Sequence, residues 1–332
     1  MRTGLHSSLH HPAARAWQEP HIHASNLCYP IFVTAREDDS AIAGFAPNMQ
    51  WGSRSEYATL AVHLQALQAS GLTSVMLFGV VSNEAKDECG GAADADATPV
   101  IACLRALRAS CPDLMLCADV CLCEYTDHGH CGLLRDVDGE ACIDNAPSVE
   151  RLVECAVAYA RAGAHCVCPS DMMDGRVAGI RGGLDVSGFG HVAIMAYTSK
   201  KASCMYSPFR AAVESTFTGN RKRYQQPIGG RGIALRAAAR DSAEGADYVL
   251  VKPALFYCDL VRDLADPHGP AGGRPVACYV VSGEYKMLKD YGESCGCFED
   301  VLRESHLSLV RAGATILITY FAPEILGFLP KW

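Results

Sequence analysis

The sequence predicts an α/β protein built as a single (β/α)8 TIM barrel with an extended N-terminal arm. Three observations lead there. Four segments repeat one local plan, an amphipathic run, a glycine and a short β-rich stretch: Gly71 before Leu72–Phe78, Gly163 before Ala164–Cys168, Gly245 before Ala246–Val251, and Gly313 before Ala314–Tyr320. Four more β-like stretches, Leu27–Val33, Leu114–Val120, Val192–Thr198 and Val276–Val281, raise the strand candidates to eight. The intervals between them are mostly helix-compatible, and eight βα units close naturally into a barrel.

Each element has a local reason. Glycine suits the left-handed position that ends a helix, and Val/Ile/Leu runs suit parallel strands buried on both faces. Before Gly163, the residues Val149, Leu152, Val153, Ala156 and Ala160 share one helical face, with Ser148 expected to cap its start. Residues 1–24 precede the first strand and read as an arm, leaving 25–332 for the barrel. Leu9, Ala13, Ala14 and Trp17 give the arm some apolar surface, too little for a core of its own. Such a segment either trails free or packs on a neighbouring subunit, and the second reading is preferred. Pro267–Pro275, rich in Gly and Pro, reads as a surface loop.

Composition narrows the function classes. The 332 residues are 49% hydrophobic and 20% charged, as in an ordinary folded soluble chain. A formal charge of −8 gives no general attraction to nucleic acid or an anionic membrane. The first twenty residues hold no apolar run of a secretory signal, and no segment supplies the roughly 18 apolar residues of a membrane helix. Seventeen cysteines, an odd number, fit reduced thiols and metal ligation in the cytosol better than a disulfide framework.

Barrel chemistry sits where strands run out at their C-terminal ends. Those ends carry Asp119 leading into Cys121 and Cys123, then Ser170-Asp171, Lys200-Lys201, Lys252, Ser282-Gly283-Glu284 and Thr319-Tyr320. One rim thus gathers amines, thiols, hydroxyls and carboxylates. Cys121, Cys123 and Cys131 offer three soft thiolates, and Gly129 and Gly132 let the chain fold back on a metal. Three such ligands on zinc leave a fourth position open; the bland alternative is three small core residues. His128 and His130 read as loop residues rather than ligands.

Lys252 follows the apolar run Tyr248–Val251. In a dry pocket its charge is disfavoured and the free amine becomes a nucleophile toward ketones; otherwise it is an ordinary rim lysine. Of Lys200 and Lys201 only one can face the barrel axis if the strand continues, and spacing does not say which. Arg210, Arg221, Lys222 and Arg223 lie in a glycine-bearing stretch that reads either as a lid whose arginines bind a carboxylate or as solvated surface charge. A class I aldolase would need one such lysine and no thiolate metal site. A zinc scaffold would need neither lysine.

These residues carry a resemblance to the porphobilinogen synthase (5-aminolevulinate dehydratase) family. The matching stretches are Asn26–Val33, Asp119–Cys123 with His128–Gly132, Pro169–Arg176, Lys200 with Ala202–Cys204 and Tyr206, Pro208–Arg210, Val251–Pro253, Val281–Glu284 and Ile318–Tyr320. The resemblance spans essentially the whole chain. It implies a barrel that assembles into homo-octamers through N-terminal arms and joins two 5-aminolevulinate molecules per active site. It implies that Lys252 and Lys200, not Lys201, form the two Schiff bases, at the P and A sites. Cys121, Cys123 and Cys131 match the Zn2+ ligands of the zinc-using branch. Ser282 and Tyr320 match the P-side carboxylate contacts; Arg210, Arg221 and Gln225 match the A-side ones. Asp119 and Ser170 are expected to help proton transfer, with Asp171 a weaker candidate. Glu124, Lys201, Met205 and Arg223 depart from the family pattern, as does Asp290–Glu299 with its Cys295 and Cys297.

Overall fold

A computed structural model describes residue 6, residues 9–217 and residues 219–332. Eight parallel strands form the barrel: β1 (Leu27–Thr34), β2 (Ser74–Val80), β3 (Met115–Val120), β4 (Cys166–Pro169), β5 (Ala193–Lys200), β6 (Tyr248–Lys252), β7 (Val276–Val280) and β8 (Ile316–Thr319). Each pairs with the next, and β8 closes on β1 through Leu27↔Leu317 and Cys28↔Ile318. All eight expected strands are present, with no end moved by more than two residues. Every residue of β1 is buried, as a strand covered on both faces requires.

Helices fill the crossovers: α1 (Ala58–Ala69), α2 (Pro99–Ser110), α3 (Asn145–Ala162), α4 (Arg176–Val186), α5 (Arg231–Ala243) and α6 (Cys258–Ala265). Two helices, α7 (Ser282–Cys295) and α8 (Phe298–Ala312), separate β7 from β8, and α9 (Ala322–Phe328) follows β8. Gly71, Gly163, Gly245 and Gly313 all sit at φ between 102° and 116°, the left-handed conformation expected where a helix hands over to a strand. The stretch Asp290–Glu299 is the α7–α8 junction, turned by Gly296 at φ 66°. Pro267–Pro275 is a turn-rich loop, as expected.

Helix α3 departs from expectation at its start. Asp144, not Ser148, is its N-cap residue. The Ser148 hydroxyl instead accepts from Leu133 N (2.8 Å) and donates to Asp144 O (2.5 Å). The helix thus starts a turn earlier than expected, and Ser148 inside its first turn links the incoming chain to the N-cap carbonyl. That incoming chain forms a two-stranded ribbon, Leu134–Val137 with Glu140–Ile143, which sequence periodicity did not announce. Two further short strands, Ser40–Ala41 and Met49–Trp51, extend the sheet beside β1.

The expected arm lies partly outside the described residues. Within it, Pro12–Ala16 forms one short helix that buries none of its residues, and Trp17 is 85% exposed. Glu19 meets Arg303 of α8 at 2.8 Å, and Ile22 is the first buried apolar side chain among the arm's described residues. Among the described residues no helix is long and apolar enough to cross a membrane.

Candidate active site

The C-terminal ends of β3, β4, β5 and β6 bring Asp119, Ser170, Lys200 and Lys252 into one cavity, with Phe78, Cys123, Glu124, Tyr206, Phe209, Arg210 and Arg221 around it. Lys200 and Lys252 are register partners across β5 and β6. Both are 5% exposed. Strand alternation then decides between the two adjacent lysines. Lys200 points into the barrel, where its amine donates to Ser170 O (2.5 Å). Lys201 faces the opposite side, donating to Gln226 Oε1 (3.1 Å) and Gly230 O (2.7 Å).

The two amines sit in different electrostatic surroundings. Lys252 Nζ lies 4.0 Å from the centre of the Tyr279 ring and 5.1 Å from those of Tyr197 and Phe209. This dry aromatic box, together with the Lys200 charge, pushes the Lys252 pKa down to about 7. Burial also works against the Lys200 charge, but Cys131, Cys121, Cys123 and Asp119 outweigh it and hold that amine protonated. A divalent cation among the sulfurs would offset much of this attraction and free the amine.

Asp119 lines the same cavity as both lysines and accepts from the Ser170 hydroxyl at 2.9 Å. Burial lifts its carboxyl above the usual range, against the pull of Lys252 and Lys200. Its second oxygen is buried with no partner at strict hydrogen-bond geometry among the described residues, and the Tyr197 hydroxyl is the neighbouring donor that helps lower its pKa. Asp171 turns away from the cavity, accepts from Met173 N and faces the buried Arg176 at 3.6 Å. Its place is structural.

The three thiols converge. The sulfurs of Cys121, Cys123 and Cys131 all lie within 4.8 Å of one another, with Cys121 and Cys123 3.3 Å apart. Cys131 is held well below the usual thiol range because Cys121 and Cys123 hydrogen-bond to its sulfur. An all-sulfur donor set of this kind fits a thiophilic ion. Gly129 takes φ +67°, and a Cβ there would meet Phe217 N at 2.6 Å. Its carbonyl accepts from Arg221 (2.8 Å), so this glycine joins the thiol loop to the arginine-bearing segment. A Cβ at Gly132 would meet Ser148 Oγ at 2.7 Å. His130 bonds Tyr224 OH and His128 faces Glu88 O, as expected of loop residues.

Arg210 and Arg221 flank the Phe217 ring, at 5.3 and 4.6 Å from its centre, and both reach the cavity. Arg223 does not; it pairs with the exposed Glu140 on the ribbon. Gln225, Ser282 and Tyr320 are buried but stand behind the cavity wall. The Gln225 side-chain amide nitrogen lacks a partner among the described residues, Ser282 Oγ accepts from Phe209 N (2.9 Å), and Tyr320 OH meets Tyr279 OH (2.9 Å). Sequence inspection of polar strand ends passed over the aromatic box, because Tyr197 and Tyr279 are inward-facing residues of strand interiors. Glu124 is 3% exposed, lies 3.2 Å from Cys123 Sγ, and is raised to about 7 by burial and by Asp119.

A sequence model of the family described as delta-aminolevulinic acid dehydratase matches residues 3–328. The chain belongs to this family. It is 44% identical over 333 residues to the delta-aminolevulinic acid dehydratase of Macaca fascicularis, covering 98% of both chains. The counterpart of Halalkalibacterium halodurans is 40% identical over 314 residues, covering 94% of this chain and 92% of that one. In three dimensions the chain is similar to the Toxoplasma gondii enzyme (porphobilinogen synthase), solved with its product porphobilinogen. The TM-score is 0.92 and the identity 34%, covering 99% of this chain and 91% of that one. Family membership makes this chain a porphobilinogen synthase, a hydro-lyase.

Proposed function

We propose that the chain condenses two 5-aminolevulinate molecules asymmetrically into porphobilinogen with loss of water, an early step of tetrapyrrole (heme) synthesis, through two lysine Schiff bases and a catalytic zinc ion. The observation that carries this reading is the pairing of two buried amines, Lys200 and Lys252, at one barrel mouth beside three converging thiols.

Two identical keto-amines must be joined unsymmetrically, so the two amines must differ, and they do. Lys252, with its pKa near 7, offers a free amine that attacks the ketone of one substrate and, on loss of water, holds it as an electrophilic iminium. Lys200 holds the second substrate as an imine. Loss of a proton beside that carbon gives an enamine, whose carbon attacks the iminium. The Asp119 carboxylate, oriented by Ser170, is suited to take that proton. Arg210, Arg221 and Gln225 are assigned to the A-side carboxylate, and Ser282 and Tyr320 to the P-side one. Cys121, Cys123 and Cys131 would hold Zn2+, which when bound supplies a Lewis acid toward a substrate oxygen.

We further assign a homo-octamer, with residues 1–24 packed on neighbouring copies, and a cytosolic location. The exposed Trp17 and the unburied helix Pro12–Ala16 support the arm's role, and seventeen free thiols suit a reducing compartment. The decisive experiment incubates the zinc-loaded chain with 5-aminolevulinate and measures porphobilinogen by its colour reaction. Pyrrole formation is expected. A folded, zinc-loaded protein that makes none would overturn the reading.

A further inference from the structure

A second group of thiols lies inside the barrel beneath the active site. Cys117 on β3 and Cys166 on β4 are register partners, and Cys168 sits two residues along β4 on the same face as Cys166. Two steps up the same ladder Asp119 pairs with Cys168, so the group runs from the level of Asp119 into the layer directly beneath it. The three sulfurs lie within 4.8 Å of one another, with Cys166 and Cys168 3.9 Å apart. Cys28, on β1, is a further buried thiol close enough to Cys117 to raise its own pKa through it. All four thiols are free and no more than 1% exposed.

The spacing is what a metal ion would ask for. Sulfurs bound at ~2.3 Å to a tetrahedral zinc lie ~3.8 Å from one another. We propose that Cys117, Cys166 and Cys168, with Cys28 as the adjacent fourth sulfur, form a structural site for a thiophilic divalent cation of the zinc type. Charge favours a divalent ion over a monovalent one. Four thiolates around a dication leave two net negative charges, whereas a monovalent ion leaves three in a dry interior where uncompensated charge is expensive. With all its sulfurs donated by protein and none reaching solvent, the site is closed, as structural zinc sites are. It ties β1, β3 and β4 together below Asp119. Because the thiols are covered on every side, the ion enters as the barrel closes and leaves only when it opens.

That difference in access separates this ion from one at the rim. The full-length protein is refolded under reducing conditions with Zn2+ or Co2+, desalted, and treated with a chelator while folded. The wild type is expected to keep one equivalent per chain, with a sulfur-only ligand shell by X-ray absorption. A chain with Cys121→Ala, Cys123→Ala and Cys131→Ala should keep the same equivalent and, with Co2+, show thiolate-to-cobalt charge-transfer absorption. Adding Cys166→Val and Cys168→Ala, which keep the layer apolar, should abolish both; Cys117→Ala alone serves if that variant does not fold. Absence of retained metal in the chelated wild type, a disulfide among these cysteines in the active protein, or retention that survives loss of the inner cysteines overturns the assignment.

Discussion

Lys200 and Lys252 stand side by side on adjacent parallel strands, and their surroundings drive their amines in opposite directions. Two titratable groups whose environments pull their pKa values apart are the usual basis for dividing roles in one site. Here the aromatic box under Lys252 favours the free amine, while thiolates and Asp119 favour the Lys200 ammonium.

The first consequence concerns pH. Lys252 titrates near 7, so its nucleophilic fraction rises as pH rises through that value. Borohydride trapping in the presence of 5-aminolevulinate should label Lys252, with initial adduct yield rising around pH 7 when read by peptide mass. A midpoint near the ordinary lysine value of ~10.4 would show that the pocket does not depress it.

The two neighbouring lysines should separate cleanly. Lys200→Met is expected to keep the fold and lose nearly all turnover. Lys201→Met should retain turnover but lower stability by roughly 1–2 kcal/mol, because Gln226 and the Gly230 carbonyl lose their buried donor. Kinetics alongside denaturant unfolding of both variants checks this, and the reversed pattern would move the second Schiff base to Lys201.

Removal of metal should silence the rim. Chelation is expected to abolish turnover and added zinc to restore it, since the three sulfurs are the soft donors adjoining the lysines. Metal analysis run beside the assay is essential: full activity in a sample verified to hold no metal removes zinc from the reaction.

His306 supplies a stability test away from the chemistry. It is fully buried, bonding Leu302 O (2.8 Å) and Thr319 Oγ1 (2.9 Å), and burial lowers its pKa to about 4. Between its ordinary value near 6.5 and about 4 the unfolded chain binds the proton and the folded chain does not. This group's contribution is therefore intact above that window and lost as pH falls through it. Denaturant midpoints measured from pH 7 to pH 4 should fall less steeply in His306→Gln than in the wild type; equal slopes would contradict the assignment.

The barrel was written locally. Helix-ending glycines such as Gly163 and Gly313, and apolar runs such as Ile316–Thr319, need only near neighbours to declare themselves, because their signals are backbone conformation and burial on both strand faces. The strand-end chemistry of Lys252, Asp119 and Cys121 was legible for the same reason, and the family motifs added the roles. What sequence alone left open was direction and depth. Whether Lys200 or Lys201 enters the barrel depends on strand phase, which closure of the sheet fixes. The low pKa of Lys252 depends on burial by side chains from other strands, Tyr279 and Tyr197 among them, and on the Lys200 charge beside it. The union of Cys117 with Cys166 and Cys168 likewise exists only once β3 and β4 pair in register. Local pattern determined which residues reach the barrel mouth; long-range strand pairing decided which of them meet, since desolvation and charge act through space rather than along the chain.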